Sequence, residues 1–161
     1  GNNGLGNRSM RLLENVFKWA REINPSQPVS VGVWNNSLKD LNEFQLDNSD
    51  IITYHNYADR ADHQEAIDSL KLFGRPLMCT EYMARTRNSR FENIMPLLKE
   101  EKVGAINWGL VAGKSNTMYA WDTPMPDGSE PEVWFHDIFR PDGSVFDPEE
   151  IELIKELTGV Q

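Results

Sequence analysis

Glu81 directly follows Pro76-Leu77-Met78-Cys79-Thr80, an apolar run of strand length opened by a proline and closed by a carboxylate. An enzyme built on a parallel sheet sets its nucleophile or general base at such a strand end. Three further apolar runs finish in chemistry-bearing residues. Residues 29–34 lead into Trp34-Asn35-Asn36, residues 50–54 into His55-Asn56-Tyr57, and residues 104–108 end in Asn107-Trp108. As parallel neighbours, these four ends bring a carboxylate, an imidazole, several amides and aromatic rings to one face. Flat rings beside hydrogen-bonding amides and a carboxylate suit a sugar, which has apolar C–H faces and a rim of hydroxyls. A nucleotide would instead call for glycine-rich turns and helix N-termini.

The elements that must position these groups alternate along the chain. Leu13, Val16, Phe17 and Ala20 recur at helical spacing within residues 9–23, with Ser9 as the expected N-cap. Asn24-Pro25-Ser26-Gln27-Pro28 breaks that helix ahead of the β-branched run at 29–34. The pattern predicts further helices over 37–46, 61–73 (stopped by Gly74), 88–102 (with Pro96 in its middle), 132–139 and 148–157. Residues 109–131, rich in Gly, Pro, Asp, Ser and Thr, are too long for an ordinary connection and read as a functional loop carrying Trp121. Strand starts recur at intervals of about 20–30 residues, each gap filled by a helix, which is the rhythm of parallel βα units with right-handed crossovers. The predicted fold class is α/β, as one domain over 1–161.

Composition narrows the partners. With 25 acidic against 16 basic residues and a formal charge of −9, the chain has no cationic surface for nucleic acid. No apolar run is long enough to cross a bilayer, so no membrane partner is expected. The single cysteine, Cys79, excludes an intrachain disulfide and a cysteine-rich zinc site. His55, Asp59, Asp62 and His63 have ligand chemistry without a metal-site spacing, and the acids there read as a solvated helix start. Asp122 to Gly128 does not match a calcium loop. Gly1-Asn2-Asn3-Gly4-Leu5-Gly6 has the wrong order for a dinucleotide fingerprint. No metal and no cofactor are expected. The opening at Gly1, without a signal segment, reads as the middle of a loop and hence as a fragment.

On these residues the chain resembles the glycoside hydrolases of clan A, the (β/α)8 enzymes that include the family 5 cellulases and mannanases. The nucleophilic glutamate closing strand seven matches Pro76 to Tyr82. The His-x-Tyr of strand six, whose tyrosine bonds the nucleophile, matches His55-Asn56-Tyr57, and the tryptophan closing strand eight matches Trp108. The resemblance implies half of a TIM barrel, strands five to eight, with Glu81 as nucleophile assisted by Tyr57 and His55. It implies substrate contacts at Trp108, Trp34, Asn35 and Trp121, a carbohydrate substrate and a secreted or periplasmic setting. The clan's acid/base glutamate ends strand four, before the point matched by Gly1. A retaining mechanism needs two carboxyl groups about 5–5.5 Å apart, and Glu14 and Glu22 lie on the first helix, so the isolated chain is expected to be nearly inactive. A barrel cut between strands four and five exposes the edges at 29–34 and 104–108, and self-association is expected there.

Plainer readings stand beside these. Glu81 is then a loop-opening charge, Tyr57 and Trp108 are packing rings, His55 is a buried histidine on a backbone carbonyl, and Cys79, on Glu81's strand face by the period of two, is a small hydrophobe. The rival functions are a non-catalytic carbohydrate-binding or interaction module, and an unrelated α/β enzyme with Glu81 as general base. Burial of Glu81 beside Tyr57, with Trp108 flat against the same cleft, favours the hydrolase; a Glu81 pointing to bulk solvent favours the binder.

Overall fold

The computed structural model describes residues 6–160. The expectation placed on Gly1 to Leu5 lies outside the described residues. Four helices and three strands alternate after an initial helix. Strand β1 (Ile52–His55) is followed by α3 (Arg60–Lys71), β2 (Leu77–Glu81) by α4 (Phe91–Glu100), and β3 (Gly104–Ala105), after a long excursion, by α5 (Pro148–Thr158); α1 (Met10–Ile23) and α2 (Lys39–Asn48) precede them. The strands form one parallel sheet in the order β1-β2-β3. Sequential neighbours lie side by side, without the reversal of order that marks a doubly wound sheet.

One face of the sheet is buried. Ile52 and Tyr54 of β1 and Leu77 and Cys79 of β2 join Ile67 and Leu70 of α3 and Ile94, Leu97 and Leu98 of α4 in a single core. Each such aliphatic side chain contributes about 1.5–3 kcal/mol of burial. Local signals set the helix ends. The Asp59 carboxylate accepts from the amides of Ala61 and Asp62 at the start of α3, and Gly74 at φ 64° follows its end. Asp147 caps α5, with Pro148 at its first position and Gly159 in the left-handed region beyond it. Pro96 sits inside α4; the carbonyl it deprives of a donor belongs to Glu92, an exposed residue that water can serve.

Several sequence expectations are corrected. Ser9 does not cap α1: it has helical angles, makes no capping hydrogen bond, and ends a 3-10 turn over Gly6–Ser9. The strand expected at 29–34 is reduced to one parallel bridge, Val33 to Tyr54. Side chains occupy the backbone partners that a ladder would use: Asp50 takes the Val29 amide, Ser49 the Val31 amide, and Gln45 donates to the Gly32 carbonyl. The helix expected from residue 88 starts at Phe91, because Asn88 adopts φ 61°. The strand expected over 104–108 has two ladder residues, continued by single bonds from Ile106 N to the Cys79 carbonyl and from Trp108 N to the Tyr82 carbonyl, both 2.9 Å.

The helix expected over 132–139 is absent. Trp134, Phe135, His136, Asp137 and Ile138 are consecutive and all buried, whereas a surface helix buries one stripe. The segment instead threads the domain as irregular chain, bent at 132–133 and again at 135–136. Phe135 N bonds the Met118 carbonyl at 2.8 Å, and Phe139 bridges both Val111 and Val145.

His63 of α3 is fully buried, and its Nε2 donates to the Asn56 carbonyl at 3.0 Å. Burial pushes this imidazole down to about 4. An unfolded histidine takes up its proton near 6.5, so between these values the unfolded chain binds more protons than the folded one. Stability is therefore fully present above pH ~6.5 and falls by about 3 kcal/mol as pH drops towards 4. Denaturant titrations of wild type and His63→Gln over pH 7–4.5 should show this slope flattened in the variant. Among the described residues no helix is long and apolar enough to cross a membrane.

Candidate active site

Glu81 reaches its position through an irregularity in the sheet. Tyr54 pairs with Cys79, but the next residue of β1, His55, pairs with Glu81, leaving Thr80 as the extra residue of a bulge. Its hydroxyl lies 3.4 Å from the Tyr54 carbonyl. The bulge reverses the alternation. Cys79 remains in the core with Tyr54, while Glu81 turns out beside His55, so the two do not share the strand face that a period of two predicts. Burial pushes the Cys79 thiol up to about 12, which keeps it protonated and removes it as a nucleophile.

The carboxylate is about one-quarter exposed. Tyr57 Oη donates to Glu81 Oε2 at 2.7 Å, and His55 Nδ1 stands 3.3 Å from the same oxygen. No hydrogen bond among the described residues reaches Glu81 Oε1. Burial, then the bond to Glu81, pushes the Tyr57 phenol well above its ordinary value, so it remains a donor at neutral pH. Gly32 leaves room for His55: a Cβ there would sit 3.0 Å from the imidazole Nε2.

These groups line a cleft of about 800 Å³, whose wall includes Trp34, Trp108 and Trp121 together with Asn56, Asp62 and Arg87. The three indoles are 48%, 45% and 61% exposed, which leaves their surfaces free to meet a ligand. Trp121, delivered by the long excursion after β3, meets Tyr57 edge-on at 5.1 Å. Six of the seven residues singled out in the sequence, Glu81, Tyr57, His55, Trp108, Trp34 and Trp121, thus come together. Asn35 does not line this cleft. Its Oδ1 accepts from the Ser37 amide and hydroxyl, an Asx turn leading into α2, and it borders a groove between α1 and α2.

Two site residues carried no sequence signal. Arg87, in the 3-10 turn Arg85–Arg87, places a cation in the cleft wall and pairs with Asp122 at 2.6 Å. His136, hidden in an apolar run, packs its ring on Tyr57 and Trp121 at 5.4 and 5.5 Å. Neither the spacing nor the neighbours of either residue marks it out. Among the described residues no three His, Cys, Asp or Glu side chains converge as a metal site. Asp59 and Asp62 are the other cleft carboxylates, Asp59 being engaged in capping α3. No protein-family model matches the chain, and no curated protein matches it.

Proposed function

We propose that this chain is the nucleophile half of a retaining glycoside hydrolase acting on β-linked polysaccharide or oligosaccharide, with strands equivalent to five to eight of a (β/α)8 barrel. The observation that carries the reading is the half-buried Glu81, held at one oxygen by Tyr57 and His55 in a cleft walled by three exposed tryptophans. That disposition favours catalysis over a purely binding role, in which the carboxylate would face open solvent. Sequential strand order and same-side strand ends support the barrel relation. With Oε2 engaged, Oε1 attacks the anomeric carbon. The glycosidic C–O bond breaks, its electron pair leaves with the aglycone oxygen, and water later cleaves the glycosyl ester. The acid/base that protonates a natural leaving group is assigned to a part of the enzyme outside this chain.

A dinitrophenolate leaving group needs no proton, so activated aryl β-glycosides separate the two functions. The chain should release about one equivalent of dinitrophenolate in a burst and then turn over slowly, because deglycosylation lacks its general base. No burst with glucoside, mannoside, xyloside or galactoside would overturn the reading. Tyr57→Phe removes the donor on Glu81 and should slow the burst roughly 10–100-fold, with unfolding free energy changed by less than about 1.5 kcal/mol. The half-barrel reading also leaves the sheet edge at 104–108 open to a second chain, whereas the side chains of Asp50, Ser49 and Gln45 already cover part of the backbone at 29–34. Sedimentation should therefore detect dimers or larger species, and a strictly monomeric chain would count against the half-barrel.

A further inference from the structure

We infer that His136 is a positioning residue of this site: one buried imidazole holds in place both partners of the Tyr57–Glu81 hydrogen bond. The inference rests on the hydrolase reading for its kinetic consequence but on geometry for its substance. His136 is 1% exposed, and its Nδ1 contacts the Met83 carbonyl. A carbonyl only accepts, so Nδ1 carries the proton and donates. Met83 stands two residues beyond Glu81 at φ 78°, a left-handed angle costly for a residue with a side chain. The bond from His136 thus anchors the backbone that turns away immediately after the carboxylate.

The same ring supports the other partner. It packs at a tilt against Tyr57, and against Trp121 and Phe135, with ring centroids 5.4, 5.5 and 4.2 Å away. Tyr57 itself is only half-buried in the cleft wall and is braced there by His136 and Trp121. The imidazole is in turn fixed from behind. Its backbone amide bonds the Thr117 carbonyl at 3.2 Å. Gly109, at φ 83°, passes so close that a Cβ would lie 2.6 Å from the His136 Cβ. Asp137, next in the chain, accepts from the Thr117 hydroxyl at 2.8 Å through both oxygens. His136 is therefore the tie that links the excursion after β3 to Met83 and Tyr57 together, beside the separate bonds that Arg85 and Arg87 make to the same excursion.

Among the described residues the His136 Nε2 has no hydrogen-bond partner, so the role needs a donor at the Nδ1 position and nothing at Nε2. An asparagine supplies that donor from a similar place, whereas a phenylalanine keeps the ring and loses the donor. The test compares His136→Asn and His136→Phe with wild type in the rate constant and the binding constant for labelling by a dinitrophenyl 2-deoxy-2-fluoro-β-glycoside. It also compares crystal structures of the three proteins. His136→Phe should label about tenfold or more slowly at a binding constant within about twofold of wild type, and His136→Asn should recover to within about threefold. In the crystal, Tyr57 Oη should leave hydrogen-bonding distance of Glu81 in the Phe variant and keep it in the Asn variant. An intact Tyr57–Glu81 bond in His136→Phe, or a loss confined to the binding constant, would overturn the inference. Failure of wild type itself to be labelled would instead count against the hydrolase reading, and the crystallographic comparison would still decide the role of His136.

Discussion

Glu81→Gln is expected to abolish formation of a glycosyl-enzyme and to lower the burst rate with dinitrophenyl glycosides at least about 10³-fold. The amide oxygen cannot attack the anomeric carbon to give a stable ester, so this loss concerns bond formation and not shape. Binding should survive. Glutamine keeps the volume of glutamate and an oxygen that still accepts from Tyr57, which donates to Glu81 at 2.7 Å. The tryptophan walls are untouched. Titration calorimetry of the variant with an oligosaccharide bound by wild type should therefore give a Kd within a few-fold of wild type. Equal burst rates in the two proteins would remove Glu81 from the chemistry, whereas a joint loss of binding and rate would make it a contact residue.

Arg85→Ala is expected to cost about 3–5 kcal/mol of stability, a fall in Tm of roughly 6–20 °C for a chain of this size. Arg85 is 3% exposed and Glu150 6%. The guanidinium meets the carboxylate in a two-point fork, at 2.8 Å from Nε and 2.6 Å from a terminal nitrogen. Its other terminal nitrogen donates to the carbonyls of Trp134 and Asp137 at 3.0 and 3.1 Å, and it lies 4.8 Å over the Phe146 ring. Arg85 thus ties α5 and the buried segment that carries His136 to the backbone just after β2. Removing it strands a buried carboxylate, which accounts for most of the cost. Arg85→Lys should recover little of it, because an ammonium cannot reproduce the planar fork. Arg85→Met with Glu150→Leu should recover most, because neither charge is then left alone. Denaturant unfolding of the four proteins checks this, and a single-variant cost below about 1 kcal/mol would contradict the anchoring role.

Much of the site was legible because strand ends in a parallel sheet are marked by composition. An apolar run followed at once by Glu81, by His55-Asn56-Tyr57 or by Trp108 locates the mouth of the sheet without knowledge of the packing. Helices whose boundaries depend on local chemistry were legible for the same reason, as with Asp59 and Gly74 around α3. What escaped depends on contacts distant in the chain. The bulge at Thr80 changes which face Glu81 occupies, and only pairing with β1 reveals it. The run 29–34 has strand composition, yet Asp50, Ser49 and Gln45 claim its hydrogen bonds. Residues 132–139 look helical by local pattern, but burial of five consecutive side chains is incompatible with a surface helix, and the segment runs as bent, irregular chain. Asn35 had the right place in the sequence, but a local turn uses its side chain. Arg87 enters the cleft wall through a 3-10 turn, and His136 supports the site from behind through its bond to the Met83 carbonyl, neither of which a spacing rule encodes.

The nucleophilic role of Glu81 is read out by incubating the protein with activated 2-deoxy-2-fluoro-β-glycosides of several sugars and mapping any adduct by peptide mass spectrometry. A single covalent sugar is expected on the peptide containing Glu81, formed together with one equivalent of dinitrophenolate and absent in Glu81→Gln. An adduct on any other residue would contradict it, as would no adduct from sugars whose oligosaccharides the protein binds.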